Sequence, residues 1–180
     1  PKKITYDTSE TLMLKSNQQM QGMMFYAYGQ GHLVGSSRDF SEAVAMAYDK
    51  MGYVVDNKQR IVWDRVNRSP SKTIREHQSA AYNITKHLGE FTVSDDFGDG
   101  YLILDARGCT LNQMLYFIDQ GTPVVAFAEN NHYILLYGFD QYNISVYDPA
   151  TDQTYKMGLN DAGEYFTRYK NDFICAIPID

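Results

Sequence analysis

The fold is decided by residues 121–149, which read GTPVVAFAENNHYILLYGFDQYNISVYDP. Three short apolar runs in this stretch have the length and the β-branched and aromatic content typical of strands: 124–128, 132–137 and 144–147. A turn over 129–131 separates the first two runs, and a loop over 138–143 separates the last two. Since short connections join antiparallel neighbours, the stretch predicts consecutive antiparallel strands.

One histidine and one aspartate fall at strand ends in this stretch. His132 begins the second strand and Asp148 ends the third, so antiparallel pairing places both side by side at one edge of the sheet. An Asp beside a His fixes the imidazole tautomer and stabilises its protonated form, as a general base requires. Such a pair suits a thiol nucleophile at a helix N-terminus. Either residue alone has a structural interpretation, because Asp-Pro is also a common turn start.

The residues on both sides of this stretch continue the pattern. Thr110 and Gln113 form a capping box before a helical apolar face, and Gly121 ends that helix. Downstream, the sequence predicts a strand over 154–157, a helix over 160–170 and a final strand over 173–177. The predicted fold class is therefore α+β, with helices packed against an antiparallel sheet of at least four strands.

The N-terminal part of the chain is organised differently. Residues 1–21 are polar and aperiodic, which predicts a tail or linker. Residues 22–68 predict a small ββαββ unit that leans on the C-terminal part of the chain, because so short a segment buries little surface by itself. The segment NRSPSK, 67–72, is the best linker candidate, and the second domain spans 73–180.

Inside the small unit, turn signals and a helix cap set the order of elements. Gly29-Gln30-Gly31 predicts one hairpin, and residues 56–59 predict another. Between the hairpins, Asp39-x-x-Glu42 resembles a capping box, an apolar face continues at helical spacing, and Gly52 ends the helix.

The composition restricts the possible functions. The chain has 180 residues, 44% of them hydrophobic and 21% charged, which is typical of a folded domain with or without a small companion. Its net charge of -6, with no basic stripe, excludes a nucleic-acid binder. No apolar run approaches the roughly 18 residues of a membrane helix. The two cysteines supply neither a disulfide framework nor a metal site, and no cofactor is expected.

Residues 121–149 resemble the core of bacterial papain-like cysteine peptidases related to those that process bacteriocin leaders, the double-glycine peptidases. That core reads G-x-P-V … H-Y-x-x-x-x-G-[YF]-D … D-P. Upstream, GCTLNQMLYFIDQGTPV, 108–124, is similar to the preceding helix and strand in a subset of these proteins from Gram-positive gut bacteria. The small N-terminal unit of that subset is matched by GYVVDNKQRIVWDRVNR, 52–68. The resemblance implies a papain-like fold with His132 and Asp148 as catalytic residues.

The chain departs from this family at the nucleophile. The family's catalytic cysteine starts an earlier helix, which corresponds here to HQSAAYNITKHLG, 77–89. Ser79 and Ala80 stand where the cysteine is expected, and Gln78 matches the oxyanion glutamine only by loose analogy. A serine is a weak replacement, because its hydroxyl has a much higher pKa than a thiol.

These features leave three functional hypotheses. The leading one is a catalytically degenerate domain that binds a peptide or a protein partner in the old substrate groove. The second is an active thiol peptidase that uses Cys109, which precedes a helix, with His132 and Asp148. The third is a structural module of a larger protein. The resemblance and the polar start at Pro1 further suggest a part of a larger extracellular or cell-surface bacterial protein.

Overall fold

The computed structural model describes residues 7–65 and 101–178. The N-terminal range contains α1 (Asp7–Met20), β1 (Phe25–Gly29), β2 (His32–Ser37), α2 (Phe40–Asp49), β3 (Tyr53–Val55) and β4 (Ile61–Asp64). The C-terminal range contains β5 (Tyr101–Asp105), α3 (Leu111–Asp119), β6 (Val124–Ala128), β7 (His132–Phe139), β8 (Asn143–Asp148), β9 (Gln153–Gly158), α4 (Leu159–Arg168) and β10 (Phe173–Pro178).

Within the described residues the strands form two sheets whose strand pairs are all antiparallel. A four-stranded sheet has the order β2-β1-β3-β4, and a six-stranded sheet has the order β5-β10-β6-β7-β8-β9. The predicted α+β class is confirmed. Strand β10 lies between β5 and β6, so it joins two strands of the larger sheet that do not pair with each other.

The small unit has the predicted ββαββ order, and its helix cap is confirmed in part. Asp39 accepts hydrogen bonds from the amides of Ser41 and Glu42 at the start of α2. The Glu42 carboxylate accepts a hydrogen bond from the Ser37 hydroxyl at 2.6 Å. In a capping box it would accept one from the amide of Asp39. That amide instead donates to the Ser37 hydroxyl oxygen. The cap is therefore shared between Asp39 and Ser37.

The end of α2 shows why a glycine stands at residue 52. The left-handed residue after the helix is Met51, with a φ of 55°. Gly52 is needed for space, because a Cβ there would lie 1.7 Å from the Tyr28 carbonyl oxygen. The glycine therefore permits the close approach of β1 to the end of the helix.

The two sheets share one continuous hydrophobic core. Trp63 at the end of β4 is fully buried, and its indole N–H donates to the Gln113 carbonyl oxygen of α3 at 2.9 Å. Phe40 of α2 and Phe117 of α3 lie with ring centroids 6.1 Å apart. The small unit thus completes its core against α3, as its short length predicts.

Residues 7–20 form α1, a helix that the sequence did not predict. The helix has little apolar periodicity, which is why its sequence does not reveal it. Its stabilisation comes from β5, because Gln19 bonds the strand's main chain at Tyr101 and Ile103. The contact with β5 therefore stabilises a helix that the local sequence by itself favours only weakly.

Some sequence predictions lie outside the described residues. They are the linker over 67–72 and the helix over 77–89, which carries Gln78, Ser79 and Ala80.

Candidate functional site

A tight turn between β6 and β7 places His132 at the end of the sheet. Ala128 and His132 are paired across the hairpin. Asn130 and Asn131 between them have φ values of 62° and 56°, a left-handed conformation that Asn tolerates better than most residues. The amide of Glu129 donates to the Tyr165 hydroxyl at 2.9 Å, which ties the turn to α4. The predicted turn over 129–131 is confirmed.

Asp148 lies beside His132 and is held by its own turn. One carboxylate oxygen accepts from the amide of Ala150 at 2.9 Å, so the side chain orders the turn after β8. The other lies 3.3 Å from Nε2 of His132, within ion-pairing distance when the imidazole is protonated. The two side chains are 19% and 15% exposed, which leaves both in contact with solvent. The structure thus brings together the two residues that the sequence placed at one edge.

The register of β7 and β8 explains this contact. Leu135 pairs with Tyr147, so Asp148 is one residue beyond that pair and lies diagonally from His132 on the same face of the sheet. Since Asp148 approaches Nε2, the other ring nitrogen, Nδ1, is the one that would take a proton from a nucleophile. The two side chains therefore lie at ion-pair distance.

A row of aromatic rings crosses the same end of the sheet. Phe127 contacts Tyr133 and Tyr169 with centroid distances of 5.3 and 6.2 Å, and Tyr169 contacts Tyr165 at 5.0 Å. All four residues of this row are half-buried. Sequence reasoning missed the row, and the only available signal was the four-residue spacing of Tyr165 and Tyr169 on a helix.

Tyr155 on β9 lies close to the aromatic row and the acidic groups of the site. It is 41% exposed and lies on β9, the edge strand of this sheet as far as residues 7–65 and 101–178 are concerned. Its pKa is raised by burial first, and then by the neighbouring Tyr165, Asp148 and Glu129. Hydroxyl, carboxylate and imidazole groups therefore lie close together on a partly apolar surface.

Cys109 lies in a different environment. Its side chain is fully buried, and burial raises the pKa of the thiol far above its ordinary value, with further contributions from Asp39 and Asp105. It precedes α3, whose predicted capping box of Thr110 and Gln113 is confirmed. The dipole of α3 does not offset the cost of burial.

The sheet order also separates Cys109 from the histidine. β10 and β6 lie between β5, which leads to Cys109, and β7, which begins at His132. Three strand spacings separate β5 from β7 by roughly 14 Å, and Cys109 follows the end of β5 by four residues. Cys175 is also fully buried, and its Sγ lies 3.7 Å from Sδ of Met114 in the core. The structure therefore joins His132 to Asp148 and leaves Cys109 apart, while the catalytic role of all three stays a prediction.

Trp63 and Arg65 both contact Tyr48. The Arg65 guanidinium lies 3.6 Å from the ring centroid of Tyr48. Trp63 packs at 6.1 Å from Tyr48 and 5.9 Å from Tyr116 inside the core. Both residues hold the small unit in place, which is a structural role.

Neither a metal site nor a membrane-spanning helix is found in the described parts of the chain. Over 7–65 and 101–178, no group of three or more His, Cys, Asp or Glu side chains could hold a metal ion. Within the same ranges, no helix is long and apolar enough to cross a membrane.

Comparison with known proteins identifies the family. Residues 43–172 match the model of the Peptidase_C39 like family, a range that begins in α2 and includes His132 and Asp148. Searches of curated proteins and of solved structures gave no significant match. The α+β architecture with antiparallel sheets accords with a papain-like peptidase fold. The chain belongs to the Peptidase_C39 like family, within the papain-like peptidase superfamily.

Proposed function

We propose that this chain is a catalytically degenerate member of its family that binds an extended peptide beside His132. The observation that carries the proposal is the state of its cysteines. The sequence contains two of them, Cys109 and Cys175, and both are fully buried in the core. A thiol peptidase attacks with an exposed or cleft-lining thiolate, and neither cysteine meets that requirement.

The chemistry of the two thiols supports the same conclusion. Burial raises the pKa of Cys109 and of Cys175 above its ordinary value, so both are protonated near neutral pH. Residues 66–100, which include the family's nucleophile position, contain no cysteine. The histidine and carboxylate are therefore present without a thiol for them to activate.

Peptide binding is supported by the surface around the pair. Half-buried aromatic rings with polar tips provide contact area at low entropic cost, and the aromatic row and Tyr155 provide it here. Next to them, β9 is an edge strand among the described residues, and edge strands accept extended peptides through main-chain hydrogen bonds. His132 and Asp148 add polar groups that can recognise a peptide amide.

Thiol labelling tests the loss of catalysis. The native protein is treated with iodoacetamide near neutral pH, and labelling is counted by mass spectrometry. We expect no fast labelling of the native chain and labelling of both cysteines after denaturation, because only exposed thiolates react quickly. Fast labelling of Cys109, abolished by His132→Ala, would instead establish the thiol peptidase with Cys109, His132 and Asp148.

A peptide array tests binding. Labelled protein is applied to immobilised random peptides, and Tyr155→Ala is compared with Tyr142→Ala. Both tyrosines are exposed, at 41% and 68%, but Tyr142 lies in the loop at the opposite end of β8 from Asp148. We expect Tyr155→Ala to lower the affinity for the selected peptides by about tenfold and Tyr142→Ala to leave that affinity unchanged. Absence of any selected peptide would favour the structural module.

A further inference from the structure

Two tyrosines lie on the same side of the six-stranded sheet as the carboxylate of Asp148. Tyr155 of β9 pairs with Val146 of β8, so their side chains point to one face of the sheet. Asp148, two residues beyond Val146, points to the same face and is a diagonal neighbour of Tyr155. Tyr165 of α4 packs against the core to which Val146 belongs. The face that α4 covers therefore carries both rings near the end of β8.

The turn before His132 brings a second carboxylate to these rings. Glu129 is exposed, and its amide donates to the Tyr165 hydroxyl at 2.9 Å, so the residue lies directly beside α4. Burial raises the pKa of Tyr155 and of Tyr165, and the charge of Glu129 contributes to the increase in both. The negative charge of Glu129 therefore acts on both phenols.

The charge of Glu129 is not compensated by a neighbour. Within residues 7–65 and 101–178, no Lys, Arg or His nitrogen lies at ion-pair distance from its carboxylate. Asp148, in contrast, accepts a hydrogen bond from the Ala150 amide and contacts His132. Glu129 is thus the carboxylate of this corner that can pair with a cation from a ligand.

The neighbouring rings suit the same kind of ligand group. The face of a tyrosine ring attracts a cation through its quadrupole. The exposed guanidinium of Arg168 lies 5.7 Å from the ring centroid of Tyr165, so one ring of the corner already has a cation beside it. The Tyr155 ring has none among the described residues, and Tyr155 is 41% exposed. An accessible ring and an unpaired carboxylate therefore lie on one side of the sheet.

We propose that the peptide bound beside His132 presents an arginine, whose guanidinium packs on the Tyr155 ring and pairs with the Glu129 carboxylate. This inference rests on the proposed peptide binding and specifies the chemistry of the peptide. Arginine fits better than lysine, because its planar guanidinium stacks on aromatic faces and forms two parallel hydrogen bonds with a carboxylate. The net charge of -6 also favours the approach of a cationic peptide.

A set of short N-acetylated peptides tests the charge requirement without changing the protein. Each peptide has randomised flanks and arginine, lysine or citrulline at one fixed position. Citrulline has the shape of arginine but no charge. We expect arginine peptides to bind about tenfold more tightly than their citrulline counterparts, and more tightly than lysine peptides. Citrulline as good as arginine, or lysine better than arginine, would overturn the arginine site and leave peptide binding in place. Failure of the protein to bind any peptide would overturn both proposals.

Two charge-neutralising variants locate the cation. Glu129→Gln changes the proposed partner, and Asp161→Asn removes an equal charge from an exposed residue at the other end of α4. Asp161 is a matched control, because that end lies beside the 140–143 loop, where the Leu159 amide donates to the Tyr142 carbonyl.

Fluorescence anisotropy with the tightest arginine peptide and its citrulline counterpart measures the effect. We expect Glu129→Gln to lower the affinity for the arginine peptide by roughly three- to tenfold and to leave the citrulline peptide unchanged, while Asp161→Asn affects neither. Tyr155→Leu keeps apolar area without a ring, so it should reduce the preference for arginine over citrulline. An equal loss of both peptides in Glu129→Gln would mean that Glu129 only holds the turn, and would overturn the proposal.

Discussion

Two corners at the same end of the six-stranded sheet differ in almost every physical property. At one corner His132 and Asp148 are partly exposed and lie 3.3 Å apart, each held by a short turn. At the other, Cys109 is fully buried among core residues. In a working thiol peptidase, histidine and thiol would occupy a single cleft. Here the imidazole and the carboxylate form a polar surface, and the thiol of Cys109 lies in the interior.

The small N-terminal unit explains the burial of Cys109. The start of α2 lies over residue 108, since a Cβ on Gly108 would be 3.2 Å from the Ser41 hydroxyl. Asp39, the cap of the same helix, is close enough to Cys109 to raise the pKa of its thiol. A cysteine before a helix is therefore insufficient evidence for a nucleophile, because another part of the fold can cover it.

The largest expected effect comes from placing a charge at the buried corner. Cys109→Asp adds a carboxylate to a position that is fully buried and already near Asp39 and Asp105. We expect it to lower the free energy of unfolding by about 4 kcal/mol, measured by urea denaturation. Cys109→Ala controls for packing alone and should cost about 1–2 kcal/mol. His132→Ala should lower the free energy of unfolding by less than about 1 kcal/mol. If His132→Ala and Cys109→Asp lowered it equally, the two corners would not differ in their burial of charge.

A smaller effect separates the two roles of Asp148. Asp148→Ala removes both the bond from the Ala150 amide and the contact with His132, so we expect a loss of about 2 kcal/mol in unfolding free energy. Asp148→Asn keeps an acceptor for Ala150, and its expected loss is about 1 kcal/mol. Identical losses in chemical denaturation would mean that the turn bond contributes nothing.

The turn before His132 should respond more weakly still. Asn131 has a φ of 56°, and replacing it by Ala should cost about 1 kcal/mol because a Cβ without a compensating side chain disfavours this conformation. Asn131→Gly should be nearly neutral. Thermal unfolding of the two variants measures the difference. A destabilisation by glycine as large as that by alanine would point to a side-chain contact instead of backbone strain.

The smallest effect concerns two tyrosines whose pKa values are raised for different reasons. A hydrogen bond to the Asp152 carboxylate, then burial, raises the pKa of Tyr147 to about 12, and burial raises that of Tyr116 to about 12. In each case the folded state favours the neutral phenol. The resulting stabilisation is complete below the ordinary pKa of 10 and is lost as pH rises through about 12.

Ultraviolet titration of single Tyr→Phe variants assigns each phenolate. Asp152→Asn should move the Tyr147 titration toward pH 10 and leave Tyr116 near pH 12, because only Tyr147 donates to that carboxylate. A shift of both tyrosines would contradict the assignment of separate causes.

Most of the C-terminal half could be predicted from local sequence. Strand β6 lies within the bounds that its apolar run predicts, α3 begins at its predicted cap, and Gly121, with a φ of 83°, stands just after the end of α3. The turn before His132 and its pairing with Asp148 could be predicted from short connections, whose geometry depends on few residues. Sequence reasoning could not provide α1, because its support is a side chain bonded to a strand more than eighty positions away.

The sequence by itself determined the strands, the turns, the His132–Asp148 corner and the fact that two cysteines are all the chain has. Each of these depends on residue identity or on contacts between near neighbours in the chain. Only the tertiary structure decided that β10 enters the sheet between β5 and β6, that α1 covers β5, and that α2 covers Cys109. These depend on which distant surfaces bury one another, and a pattern of polar and apolar residues specifies that a face is buried without specifying by what.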